Sequence, residues 1–243
     1  MNYTANTSLL NDTVILVTGA ANGIGAAVAK TYANHGATVI LLDKSIPALE
    51  KIYDDIVASE SLEPALYPLD LQGASLTDYE TLASSIEENF GRLDGIVHCA
   101  ASLGQLAPVE HQDPQTWLET MHINLTAPFL LTRCCLPLLQ KQQSASIIFT
   151  TDQYKDTAYW SAYGISKSGI ESFSKQLADE LESAGRVRVN CIDPGKVKTE
   201  LFSRAFPAQD PRNLPDASAV TPAYLFLMGK DSVNKTGELI QAQ

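Results

Sequence analysis

Tyr163 and Lys167 stand four residues apart in a stretch that reads as helix, so their side chains share one face. Ile170, Phe173, Leu177 and Leu181 continue that face and place the pair at the N-terminal end of a buried stripe. A free phenol has a pKa of about 10, too high for efficient proton transfer at neutral pH. A nearby ammonium stabilises the phenolate and brings that value toward the working range. Such a pair can give a proton to a carbonyl oxygen as hydride reaches the carbon, or take one from an alcohol as hydride leaves.

A second cluster points to the source of the hydride. Thr18-Gly19-Ala20-Ala21-Asn22-Gly23-Ile24-Gly25 follows an apolar run and opens an Ala-rich helix. A tight turn there needs residues without Cβ, and a pyrophosphate must reach the backbone N–H groups of the helix N-terminus. The loop from Gly19 to Gly25 therefore reads as a dinucleotide cradle. Asp43 ends the next strand, twenty residues after Gly23. A carboxylate there can accept both hydroxyls of the adenosine ribose and repels a 2′-phosphate, so NAD(H) is the expected cofactor. Lys44 offers a 2′-phosphate one partner and leaves NADP(H) open. A turn-initiating role before Lys44-Ser45 is the other use for Asp43. Asp70, after the third strand, can reach an adenine or cap a helix.

These residues need a scaffold, and the chain alternates short β-type runs with helical stretches throughout. Strands are expected at 13–18, 37–42, 65–69, 95–98, 146–150, 187–192 and 238–241. Helices are expected at 23–34, from Pro47, at 76–90, 114–139, 159–184 and 219–228. Strands alternating with helices imply crossover connections and a parallel sheet covered on both faces. The fold class is therefore α/β: a single-domain, doubly wound, Rossmann-type sheet of about seven strands. Residues 1–12 form a short polar tail, and 202–216, with three prolines and little periodicity, read as a substrate lid or equally as a plain surface loop.

Bulk properties narrow the partners. The net charge of -11, from 17 basic and 28 acidic residues, argues against nucleic acid, which calls for a basic face. Cys99, Cys134, Cys135 and Cys191 show no metal-ligand spacing, so neither zinc nor a disulfide scaffold is expected. No apolar run approaches the ~18 residues of a membrane span. The N-terminus lacks the basic and apolar regions of a signal peptide, and a cytoplasmic location is expected.

The spacing Thr-Gly-x-x-x-Gly-x-Gly, with Tyr163-x-x-x-Lys167 downstream, resembles the short-chain dehydrogenase/reductase family. Asp70-Leu71, Asn124 in His122-Ile123-Asn124-Leu125, and Pro194-Gly195 followed by Thr199 match later landmarks, so the resemblance covers 14–237. The two ends of the chain are similar to a bacterial subgroup whose substrates are generally unassigned. The resemblance implies a carbonyl/alcohol oxidoreductase with Tyr163 as acid/base, Lys167 tuning the phenol and holding the nicotinamide ribose, and Asn124 on a water-mediated proton relay. It implies cofactor contacts from Gly19, Asn22, Gly23, Ile24, Gly25, Asp43, Asp70, Leu71, Ala100, Tyr163, Lys167, Pro194, Gly195, Val197 and Thr199. It also implies a homodimer or homotetramer paired through the helices at 114–139 and 159–184.

Two departures qualify that picture. The family places a serine thirteen residues before the tyrosine, which here falls on Thr150, whereas counting forward from the strand reaches Asp152. The counts differ because the loop at 153–159 is about two residues short. An ionised Asp152 about 4 Å from a tyrosinate, at an effective dielectric of about 20, would repel it by about 4 kcal/mol, or about three pKa units. A threonine hydroxyl offers the same donor and acceptor as serine, so Thr151 or Thr150 can take its place, with Thr151 the provisional clamp for the substrate oxygen. The second departure is Cys99-Ala100-Ala101 in place of the family's Asn-Ala-Gly: Cys99 cannot make the amide's hydrogen bonds, and Ala101 adds a Cβ beside the cofactor ribose. These changes leave two functional expectations, a working oxidoreductase and a dinucleotide-binding protein with weak or no catalysis.

Overall fold

The computed structural model of the chain describes residues 3–243. Seven strands form one sheet, β1 (Val14–Thr18), β2 (Thr38–Asp43), β3 (Ala65–Pro68), β4 (Gly95–His98), β5 (Ala145–Thr150), β6 (Val187–Asp193) and β7 (Leu239–Gln241). Their order is β3-β2-β1-β4-β5-β6-β7, and every pair is parallel. Successive side chains of a strand point to opposite faces. Ile15, Val17, Val39, Leu41, Val97, Ile148 and Ile192 therefore meet α1 (Gly23–Ala33), α2 (Ile46–Ala58) and α8 (Thr221–Met228) on one side. Leu16, Ile40, Leu42, Ile96, Ile147, Phe149 and Val189 meet α3 (Leu76–Phe90), α5 (Ala127–Gln140) and α6 (Ser161–Glu182) on the other. Burial on both faces is why the strands read as continuous apolar runs rather than as alternation.

The register aligns the carboxyl ends of the central strands. Thr18 lies opposite Leu42 and His98, His98 opposite Phe149, and Thr150 opposite Ile192. The chain leaves β1 toward β2 on one side, and β4 lies on the other, so the order reverses there and opens a crevice at this edge. The glycine loop, Asp43, Cys99, Thr151 and Pro194 all emerge along it.

Three expected elements take a different form. The helix foreseen at 114–139 is α4 (Pro114–Met121) and α5, joined by a π-helical segment at His122–Thr126. The stretch at 202–216 begins inside a short helix, α7 (Glu200–Ala205), because the Thr199 hydroxyl accepts a bond from the Phe202 N–H and caps it. The polar tail is docked over its described part. Leu10 is buried in the core, Tyr3 lies edge-on to Phe226, and the Tyr3 hydroxyl donates to Asp231 at 2.7 Å. The first two residues of that tail lie outside the described residues.

Candidate active site

The turn after β1 requires its glycines. Gly19 and Gly23 have φ of 67° and 54°, and a Cβ at Gly19 would stand 2.8 Å from the Ala100 backbone. At Gly25 a Cβ would stand 2.2 Å from the Gly19 carbonyl oxygen, so the helix can start this close to the loop only without a side chain. The Asn22 side chain makes no capping bond to α1, and the first turn of α1 carries no acidic residue. The leading N–H groups and the positive end of the helix dipole are thus left to an anionic ligand.

A cleft of about 440 Å³ runs along this edge. All fifteen residues expected to contact a dinucleotide line it, from the glycine loop through Asp43, Asp70 and Ala100 to Tyr163, Lys167 and Thr199. The donors at the head of α1, the glycines of the loop and the continuous lining fit such a ligand. Asp43 is engaged with its own backbone: one oxygen accepts from the Ser45 N–H at 3.1 Å, the other from the Ala21 N–H at 3.3 Å. It ties the turn after β2 to the glycine loop. Lys44, exposed beside it, lines the same cleft. Asp70 accepts from the Gln72 N–H at 3.1 Å and closes its own turn.

At the other end of the cleft, Tyr163 and Lys167 occupy the first turns of α6, both buried. The Lys167 ammonium donates to the Thr150 carbonyl at 2.8 Å and lies 5.5 Å from the Tyr163 ring centre. The Tyr163 hydroxyl donates to Asp152 Oδ2 at 2.8 Å, and the other oxygen of Asp152 accepts from the Tyr154 N–H at 2.9 Å. The residue beside the phenol is therefore Asp152. Thr151, expected there, turns the other way and donates to Glu171 at 2.8 Å, where Lys155 also donates at 2.6 Å to the second oxygen. Thr150 faces inward, 3.0 Å from the Tyr224 hydroxyl and 3.4 Å from Cys99 Sγ.

This arrangement opposes the tuning expected of the lysine. Burial, then the charge of Asp152 and its hydrogen bond, then Asp193, hold the Tyr163 phenol well above its ordinary value of 10.0. Burial lowers the Lys167 ammonium, while the Asp152 charge acts to restore it. A carboxylate facing a phenol favours the protonated phenol.

Asn124 sits in the π-helical segment between α4 and α5, the kind of irregularity that re-aims a side chain inside a helix. Its amide accepts from the Ser102 N–H at 2.7 Å and donates to the Ser102 carbonyl at 2.9 Å and to Ser166 Oγ at 3.1 Å. It does not line the cleft, although its neighbour Ile123 does. The position expected for the family's strand-tying asparagine is filled by Cys99 against Thr150, and the Ala100 N–H donates to Thr18 Oγ1 at 3.2 Å.

Comparison with known proteins gives this geometry its context. A family model described as short chain dehydrogenase matches residues 13–210. The chain belongs to the short-chain dehydrogenase family. An uncharacterized oxidoreductase of Escherichia coli K12, YciK, is 42% identical over 100% of this chain and 96% of its own length. A short-chain dehydrogenase structure from Shigella flexneri, complexed with NADP, superposes with a TM-score of 0.95 at 42% identity, covering 98% of this chain and 100% of the other. One from Escherichia coli CFT073, complexed with NADPH, gives the same TM-score, identity and coverage.

These complexes correct the expected preference for NAD(H): the similar dehydrogenases hold the phosphorylated dinucleotide. The physical reason lies in Asp43. Each of its oxygens already accepts one backbone N–H, from Ala21 and from Ser45, so its place at the strand end is accounted for by the turn without a ribose, and the neighbouring Lys44 lines the same cleft.

Two parts of this dehydrogenase's site escaped sequence reasoning. The Lys155–Glu171 pair, whose acid also receives Thr151, was hidden because the partners lie sixteen residues apart on different elements. The aromatic group behind Tyr163 was also missed: Tyr154 stacks on Trp160 at 4.5 Å, and Trp160 meets Phe206 at 5.7 Å. The density of aromatics in 154–163 was the available signal.

Proposed function

We propose that this short-chain dehydrogenase transfers hydride between NADP(H) and a small substrate seated under Tyr163. The carrying observation is that the glycine loop and the Tyr163–Lys167 pair open on one continuous cleft. The dinucleotide supplies or accepts the hydride when bound. The N–H groups of Gly23 and Ile24 at the head of α1 would hold its pyrophosphate, and Lys44 the 2′-phosphate. Lys167, fixed on the Thr150 carbonyl, places a positive charge beneath the reacting end. Tyr163 exchanges a proton with the substrate heteroatom, and Asn124 holds the Ser102 and Ser166 backbone and side-chain groups behind it. Residues 202–216, entering from α7, act as the lid; Leu201, Phe202 and Arg204 already line the cleft. Two copies pair through α5 and α6, where Phe129 and Ile165 are 45% and 50% exposed.

The resemblance implies a carbonyl/alcohol pair as substrate. The test is NADPH oxidation with a panel of ketones and aldehydes, alongside Tyr163→Phe. The variant should lose about 10³-fold in kcat while NADPH affinity changes little. Turnover that survives the substitution removes Tyr163 from the chemistry. A second reading, a dinucleotide-binding protein with weak catalysis, draws support from the upward displacement of the Tyr163 phenol by burial and Asp152. It predicts tight NADPH binding without turnover of any compound.

A further inference from the structure

Asp152 changes what the reacting end of the cleft can recognise. The Tyr163 proton points at Asp152 Oδ2, and the hydroxyls of both preceding threonines are committed elsewhere, Thr150 to Tyr224 and Thr151 to Glu171. An ionised carboxylate only accepts hydrogen bonds. A carbonyl oxygen brought here meets another acceptor, whereas a protonated nitrogen meets its complement. The formal charges lining this end are Asp152 and Glu200 against buried Lys167 and, at the rim, exposed Arg204. Asp193 lies just behind, bonded to the Gly195 N–H at 2.9 Å.

The direction of charge development sharpens the point. Hydride addition to a ketone builds negative charge on oxygen, next to a carboxylate. Hydride addition to an iminium ion discharges a cation, and the reverse step, oxidation of an amine, creates one where Asp152 can stabilise it.

We propose that the substrate pair of this site is an imine and its amine, bound as the protonated C=N through Asp152. This rests on the hydride-transfer reading above. In the reductive step the hydride of NADPH forms a C–H bond at the iminium carbon. The C=N π pair becomes the nitrogen lone pair of a neutral amine, and NADP⁺ is released. The nitrogen proton is present from the start, so on this substrate the step draws no proton from the phenol, and the loss of about 10³-fold expected of Tyr163→Phe applies to ketones and aldehydes alone. Tyr163 and Asp152 together orient the N–H.

The experiment compares matched rings, 1-piperideine against cyclohexanone and 1-pyrroline against cyclopentanone, with NADPH and purified full-length protein. The wild type should reduce the imines with kcat/KM at least about a hundredfold above the ketones. Asp152→Ser should reverse the order, with ketone turnover rising and imine turnover falling, each by about tenfold or more. An independent readout is calorimetric binding to the protein loaded with NADP⁺. Piperidinium should bind about tenfold more weakly to Asp152→Asn than to wild type, while cyclohexanol binds both alike. Ketone turnover equal to or above imine turnover in the wild type overturns the proposal, as does a loss of both activities in Asp152→Ser. Absence of any turnover from protein that binds NADPH overturns it as well. NADPH binding, followed by its fluorescence, separates the two levels. Tyr163-dependent ketone reduction without an imine preference defeats only the substrate class, whereas protein that does not bind NADPH defeats the hydride-transfer reading beneath it.

Discussion

His98 closes β4 with its ring stacked on Phe149 at a centroid distance of 4.7 Å and Nε2 3.0 Å from Thr132 Oγ1. The ring can make this contact while neutral, and burial penalises its charge, with Lys167 adding to the effect, so its pKa is lowered to about 3. In the unfolded chain the ring titrates at about 6.5. Above that pH it is neutral in both states and contributes no pH dependence. Below it the unfolded chain takes up a proton that the folded chain refuses, so stability falls as pH drops from about 6.5 toward about 3. The slope from this residue approaches about 1.4 kcal/mol per pH unit. Urea unfolding at about pH 7.5 and about pH 4.5 should therefore show a smaller acid loss for His98→Gln than for the wild type. Equal losses would mean that His98 is protonated in the folded protein. The same burial acts on Tyr163, but there the neighbour is Asp152, and the phenol is held in its protonated form.

The short crossing from β5 to α6 is the element that decides what Tyr163 meets. A single 3₁₀ turn at Gln153–Asp156 fills it, capped by Asp152, and Tyr159 and Ser161 take φ of 73° and 43° before the helix can begin. The turn is stapled to α6 by Lys155 on Glu171, a pair whose side chains are 23% and 11% exposed. Removing Glu171 leaves a largely buried ammonium without its carboxylate, and removing Lys155 leaves buried Glu171 with the Thr151 hydroxyl alone. Lys155→Met and Glu171→Gln should each cost about 2 kcal/mol, and the double variant distinctly less than their sum. Additive losses in a urea double-mutant cycle would show that the staple contributes nothing. This crossing also marks the limit of what the sequence made legible. The strands and α3 follow from apolar runs, caps and turns, and those signals are local. The fifteen expected contact residues came from the family resemblance, and they line one cleft because the register of a parallel sheet brings strand ends to one edge. Spacing could not choose among Thr150, Thr151 and Asp152, since a shortened loop shifts the count, and only the packing of Thr151 on Glu171 decides which side chain turns outward. The π-helical segment around Asn124 was invisible for a related reason: one inserted residue leaves the apolar pattern of 114–139 almost unchanged. Asp43 misled because a strand-end carboxylate looks the same whether it serves a ribose or its own backbone.

At the scale of the whole molecule, a chain of net charge -11 must draw a polyanionic dinucleotide to one edge against its overall field. On the proposed reading the attraction is local, from the head of α1 and from Lys44, and it should register as stability of the entire fold. A ligand that binds only the folded state at about one hundred times its Kd adds about 2.7 kcal/mol. In a chain of this size that corresponds to a rise of about 8 °C in Tm. Lys44→Ala should weaken NADPH binding about tenfold, so at the same NADPH concentration the rise shrinks to about 4 °C. NADH, which lacks the 2′-phosphate, should raise Tm less than NADPH at equal concentration and should be insensitive to Lys44→Ala. Thermal melts of both proteins with both nucleotides make the comparison without any substrate. Equal responses to the two nucleotides, unchanged by Lys44→Ala, would remove Lys44 from phosphate recognition. The hydride-transfer reading would stand in that case, because it rests on the glycine loop and Tyr163 sharing one cleft.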